Sequence, residues 1–143
     1  MHVAAILKRK GTKVVTTTPD QPIASVAHRL TTHRIGAVVV TGPNDEILGI
    51  ISERDIIRGL TRHAERALAL TAGDLMTREV LTCLPQDTIA DLMAIMTARR
   101  IRHLPVLVDG RLGGMISIGD VVKARLDETE LEVETLRGYA GLR

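Results

Sequence analysis

Two short stretches of this 143-residue chain share a spacing that can do chemistry. Gly49, Ser52 and Asp55 are repeated as Gly114, Ser117 and Asp120, with two apolar residues between each glycine and serine. Two readings of Ser-x-x-Asp stay open. In the first it is a helix capping box, in which the hydroxyl accepts from the backbone N–H three residues on and the acid reaches back. In the second, the same helix start offers unpaired N–H groups and partial positive charge to a phosphate. The serine hydroxyl then donates to phosphate, the aspartate one turn inside accepts from the vicinal hydroxyls of a ribose, and the glycine lets a ligand approach the backbone.

The elements that must position these residues occur twice. With an offset of 66 residues, Val14–Pro19 falls on Val80–Pro85, Ile23-Ala24 on Ile89-Ala90, Arg34-Ile35 on Arg100-Ile101 and Val40 on Val106. A turn one residue shorter then changes the offset to 65 and lays Gly49–Asp55 on Gly114–Asp120. Duplication at a fixed period is to be read before any local signal. Each half opens with a short strand ended by proline, Val14–Thr17 or Val80–Cys83. Apolar residues at helical spacing follow: Ile23, Val26, Ala27 and Leu30, then Ile89, Leu92, Met93 and Met96, the methionines read as core filling. The continuous apolar runs Ala37–Val40 and Leu104–Val108 read as buried strands, and Gly42–Asp45 and Asp109-Gly110 as hairpin turns. Return strands Ile47–Ile51 and Leu112–Ile116 lead into helices carrying Ile56, Ile57 and Leu60, or Val121, Val122 and Leu126. The fold class expected is α/β (α+β): two β-α-β-β-α repeats packed sheet to sheet. The boundaries are 4–61 for repeat 1, 62–74 for an Ala-rich connector, 75–126 for repeat 2 and 127–143 for an acidic tail. In that tail Val133, Leu136 and Ala140 predict a short amphipathic helix.

Composition narrows the chemistry. The chain is 45% hydrophobic without Phe or Trp and with one tyrosine, Tyr139, so its core is aliphatic. Base-stacking platforms for single strands and aromatic cages for quaternary ammonium are thereby disfavoured. Nineteen Lys+Arg against 17 Asp+Glu leave a net charge of +2. The basic run Lys8, Arg9, Lys10, Lys13 and the acidic run Asp127 to Glu134 read as solvated faces, so nucleic acid is not an expected partner. His2, His28, His33 and His63 lack partners at metal spacing, and no metal site is predicted. Cys83 cannot form an internal disulfide and reads as a small buried strand residue. No nucleophile elbow, carboxylate pair or Cys/His arrangement points to catalysis. Met1–Leu7 is too short for a secretory signal, and no run approaches the ~20 apolar residues needed to span a bilayer. The expected compartment is the cytoplasm, with no membrane contact.

The repeat order, Pro19 and Pro85, the strand Arg102-His103-Leu104-Pro105-Val106 and the two Gly-x-x-Ser-x-x-Asp stretches together resemble a tandem pair of cystathionine-β-synthase (CBS) domains over residues 4–126. That resemblance implies a cleft for an adenosyl ligand such as AMP, ADP, ATP, NAD(H) or S-adenosylmethionine. It makes Asp55 and Asp120 ribose acceptors, and Ser52 and Ser117 phosphate donors. Arg54 and Arg58 neutralise phosphate in the first half, and Arg102 and His103 in the second. The base lies on Val15, Thr17, Ile35, Gly36 and Ala37, or on Thr82, Cys83, Leu104 and Pro105. The first half reads Gly36-Ala-Val-Val-Val40 and lacks the His and Pro of the second, so the two sites need not match in occupancy or ligand.

The function expected is a non-enzymatic adenosyl-ligand sensor of energy or redox state. By the same resemblance it is a homodimer joined through its helices, read by an effector protein. The alternative is a constitutive interaction or dimerisation module in which Ser-x-x-Asp only caps helices; an enzyme is the remote third case. Without aromatics, an adenine must be held by aliphatic and backbone contacts. Charged contacts to ribose and phosphate then dominate affinity.

Overall fold

Two aliphatic clusters, one per half, decide which residues form which element. A computed structural model describes residues 1–139. The chain runs α1 (Val3–Lys10), β1 (Thr16–Thr17), α2 (Ile23–His33), β2 (Ala37–Thr41), β3 (Ile47–Ser52) and α3 (Glu53–His63). A 3-10 segment (Ala64–Ala69) and α4 (Ala72–Leu75) lead to α5 (Ile89–Arg99), β4 (His103–Val108), β5 (Arg111–Ser117) and α6 (Ile118–Tyr139). The mixed α/β fold with a duplicated β-α-β-β-α order is the one expected.

In the first half β2 lies between β1, parallel to it, and β3, antiparallel. In the second, β4 and β5 pair antiparallel, and the counterpart of β1 shrinks to one parallel bridge between Cys83 and Val106. The expected strand Val80–Cys83 is cut short for a chemical reason. Cys83 N donates to Pro105 O and Leu107 N donates to Cys83 O, each at 2.9 Å. The next ladder bond would need an N–H on Pro105, and proline has none. Val39 stands at that position in β2 and keeps the longer pairing possible.

Helices α2 and α5 bury the expected stripes, Ile23, Val26 and Leu30 in one and Ile89, Leu92 and Met96 in the other. Helices α3 and α6 split theirs. Ile56, Val121 and Ala124 face inward, while Ile57 (61% exposed), Leu60, Val122 and Leu126 (58%) face outward. Beyond Leu126 the chain stays in α6 through Tyr139, so the expected tail helix continues the repeat helix. Leu131, Val133 and Leu136 on it are exposed; Ala140 lies outside the described residues.

Ala4–Leu7 precedes the first strand of one half and Asp74–Thr77 that of the other, and these leads are exchanged between the cores. Val3, Ile6 and Leu7 of α1 belong to the core of the second half, with Leu92, Leu104 and Ile116. Ala72 joins the core of the first half, and Leu70, Leu75 and Met76 pack against it. The backbone repeats the pattern. Val3 N and Ala4 N donate to Asp87 O and Pro85 O, as Ala72 N and Gly73 N donate to Gln21 O and Pro19 O. Each half therefore completes its core with a segment that precedes the other half.

Candidate functional site

Asp55 begins as a capping residue. Ser52 ends β3 in an extended conformation, its Oγ accepts from Asp55 N at 3.3 Å, and Asp55 Oδ2 accepts from Ser52 N at 2.8 Å. The full capping box fixes both side chains at the strand end. Asp55 is only 9% exposed, and its other oxygen, Oδ1, accepts from Thr77 Oγ1 at 3.0 Å, with Arg58 Nη1 at 3.9 Å. Thr77 leads into the second half, so this carboxylate is read from both halves at once. Its backbone is paired there too: Thr77 N and Ile50 N each donate to the other's carbonyl, at 2.9 and 3.0 Å.

Around this carboxylate a cleft of about 580 Å³ opens between the halves. One wall is Gly36, Ile50, Ser52, Glu53, Arg54, Asp55 and Arg58; the other is Thr77, Glu79, Val80, Leu81 and Arg99 to His103. Five arginines (54, 58, 99, 100 and 102) face three acids (Glu53, Asp55 and Glu79), so the lining is net cationic. Helix α5 ends at Arg100 in the left-handed region, φ 54°. Its carbonyl there accepts from Arg54 Nη1 at 3.2 Å and ties the walls together. Gly36 packs closely, since a Cβ there would lie 3.0 Å from His103 Cε1 and 3.1 Å from Glu53 Oε1. Burial is the main reason the His103 imidazole titrates below the ordinary histidine value, with the Glu53 carboxylate pulling the other way.

Asp120 forms the same cap and then diverges. Its Oδ2 accepts from Ser117 N at 2.9 Å, and its N donates to Ser117 Oγ at 3.2 Å. That same Oδ2 is also bonded at 2.7 Å by Lys10 Nζ, which reaches Met115 O at 2.9 Å as well. Burial pushes the Asp120 carboxyl upward, but the Lys10 ammonium and Ser117 outweigh it and hold the group below its ordinary value.

The strand-end glycines receive protein rather than open space. A Cβ at Gly49 would meet Met76 Sδ at 2.6 Å and Thr77 O at 2.8 Å, and one at Gly114 would meet Leu7 Cδ2 at 2.5 Å. The sequence suggests that a ligand approaches the backbone at these glycines; in the structure the exchanged leads fill that space.

A family model for the CBS domain matches residues 3–62 and again 72–127. The chain belongs to the CBS-domain family, as a tandem pair. It is similar to the mitochondrial CBS domain-containing protein CBSX3 of Arabidopsis thaliana, 34% identical over 96% of this chain and 70% of that one. It is also similar to the crystal structure of a CBS-domain containing protein from Agrobacterium tumefaciens, at 46% identity and TM-score 0.86. That match covers 87% of this chain and 99% of the other. CBSX2, solved in complex with AMP, shares the fold at TM-score 0.72 and 20% identity, over 88% of this chain and 97% of that one.

Within this CBS pair the cleft gathers Ser52, Arg54, Asp55, Arg58, Gly36, Arg102 and His103. Arg102 and His103, assigned by sequence to the Asp120 half, thus share a cleft with Asp55. Asp120 is held by Ser117 and by Lys10 instead. Ile35 borders a shallower groove with Gly36, Glu53 and Ile57. Thr82 lines a separate cleft of about 940 Å³ where the two hairpins meet; it contains neither Ser-x-x-Asp motif. Val15 packs against the first core, and Thr17, Ala37, Cys83, Leu104 and Pro105 are buried. Burial also pushes the Cys83 thiol up to about 12, which leaves it unreactive.

Thr77, Glu79, Arg99 and Arg100 line the cleft in addition to the residues marked by the sequence. The closely spaced arginines 99, 100 and 102 were the available signal. Thr77 had none, because only the exchanged lead brings it to Asp55. Among the described residues no helix is long and apolar enough to cross a membrane, and no group of three metal-ligating side chains is found.

Proposed function

We propose that this CBS pair is a non-catalytic regulatory module that binds an adenine nucleotide between its repeats, at Asp55. One observation carries the reading: a buried carboxylate at a helix N-terminus shares a 580 Å³ cleft with five arginines drawn from both repeats. Such a cleft suits an anion with a ribose. The Thr77 hydroxyl is a neutral partner that a ribose hydroxyl can replace at Oδ1. Arg54 and Arg58 from one repeat and Arg99, Arg100 and Arg102 from the other would then take the phosphates. Ile50, Val80, Leu81 and Ile101 offer the base aliphatic surface. AMP, ADP, ATP and NAD(H) fit this charge; S-adenosylmethionine, with its sulfonium cation, fits it less well. The AMP complex of CBSX2 supports the ligand class.

A ligand held by both repeats favours the arrangement in which the walls are close, and that population shift is the signal. The exposed apolar residues Ile57, Leu60, Val122 and Leu126 support a homodimer through α3 and α6, with an effector protein reading the state. The proposed compartment is the cytoplasm; the Arabidopsis relative is named as mitochondrial. The second reading, an interaction module without ligand, is favoured by the completeness of the caps, which need no ligand to satisfy them.

A thermal-shift panel separates the two. A ligand at 100 times its Kd adds about 2.7 kcal/mol of stability. ATP, AMP or NADH should raise the melting temperature at millimolar concentration. If none does, the module is constitutive.

A further inference from the structure

The two leads into the repeats start alike and finish differently. Both are anchored by the same pair of backbone bonds, and both lay an apolar side chain on a strand-end glycine: Leu7 on Gly114, Met76 on Gly49. Helix α4 stops after four residues, so Thr77 returns to extended backbone and bonds Ile50 and Asp55. Helix α1 runs for eight residues and presents Lys10 to the corresponding pair, Met115 and Asp120.

Thr77 Oγ1 and Lys10 Nζ reach equivalent carboxylates from the two leads, with opposite consequences. Thr77 leaves the charge of Asp55 in place and can act as donor or acceptor beside a ribose hydroxyl. The Lys10 ammonium neutralises Asp120 and offers donors alone. A ribose hydroxyl arriving at Asp120 meets a carboxylate already neutralised by a 2.7 Å ion pair on Oδ2, whereas at Asp55 it exchanges with the Thr77 hydrogen bond on Oδ1, beside Arg58 at 3.9 Å. The arginines are also unequally shared. Under the repeat offsets Arg54, Arg99 and Arg102 of the open cleft correspond to Gly119, His33 and Gly36.

From this, and resting on the nucleotide reading above, we infer that Lys10 is a built-in occupant of the Asp120 position. It restricts the pair to one nucleotide per chain, held at Asp55. The second site is latent, of the same ligand class, and closed by the last turn of α1.

The test is a calorimetric titration of the full chain with ATP and with AMP. The variants are Lys10→Ala, Lys10→Met (which keeps the methylene packing) and Asp120→Asn. Wild type is expected to bind one molecule per chain, and Asp120→Asn to bind one with affinity changed less than threefold. Either lysine variant is expected to bind two, returning to one when Asp120→Asn is added. Two molecules per wild-type chain, or one per chain in both lysine variants, overturn the Lys10 assignment and leave the Asp55 reading standing. No binding to any of these proteins overturns both. Since Asp120→Asn is read in an otherwise native chain, a tenfold loss there overturns the inference even if the lysine variants do not fold.

Discussion

Thr77 and Asp55 meet through a 3.0 Å hydrogen bond from the threonine Oγ1 to the carboxylate Oδ1. It couples the lead of one repeat to the helix start of the other. The residue that the family resemblance makes a ribose acceptor is thus also tied to the segment entering the second repeat.

Asp55→Asn should lower nucleotide affinity by about 10- to 100-fold, since hydrogen bonds to a charged group contribute about 1.5–3 kcal/mol. The fold should survive, because the Ser52 hydroxyl still caps α3. Calorimetry with ATP reads the affinity, and circular dichroism the fold. Unchanged affinity would remove Asp55 from the site.

Gly49→Ala places a methyl group 2.6 Å from Met76 Sδ and 2.8 Å from Thr77 O. The backbone oxygen cannot turn aside as a side-chain end can. Overpacking of this kind costs about 1–3 kcal/mol. The variant should melt earlier and bind nucleotide more weakly, because displacing Thr77 disturbs Asp55. Wild-type stability in urea would mean that the lead is looser than described.

Leu7→Ala tests the exchange of leads. Leu7 is 6% exposed, within the core of the second half, and a buried leucine cut to alanine costs about 2–5 kcal/mol. Hydrogen exchange should then show loss of protection in α5, β4 and β5. A loss centred on β2 and β3 would contradict the exchange.

The exchange itself was not legible in the residues. The apolar spacing of Ala4–Leu7 and of Leu70–Met76 says that each segment buries a face, and nothing local says against which half. The repeat was legible because turn residues and apolar positions recur in order, so the five elements of each half could be placed from it. What the residues could not reveal was that the cleft takes one wall from each half. Arg102 and His103 stand beside Ser117, as the repeat order placed them, and also reach the Asp55 cleft across a boundary that exists only in three dimensions. The shortened strand at Cys83 was closer to hand, since it follows from Pro105.

His103 gives a pH signature. Its folded value lies below the ordinary histidine value of about 6.5, mainly through burial. Between the two values the unfolded chain binds more protons, so stability rises with pH across that window. It is fully present above about 6.5 and is lost as pH falls toward the folded value. Urea melts at pH 5.5 and 7.5 should show a drop on acidification that is smaller in His103→Gln. An equal drop in both proteins would assign the effect to other groups.

The most direct measurement is a crystal structure of the full chain with ATP. One nucleotide is expected between the repeats, with ribose oxygens within hydrogen-bond distance of Asp55 and phosphates on the arginines of both walls. Lys10 should still be paired with Asp120. A nucleotide at Asp120, in the cleft between the hairpins, or nowhere at millimolar ATP would contradict this placement.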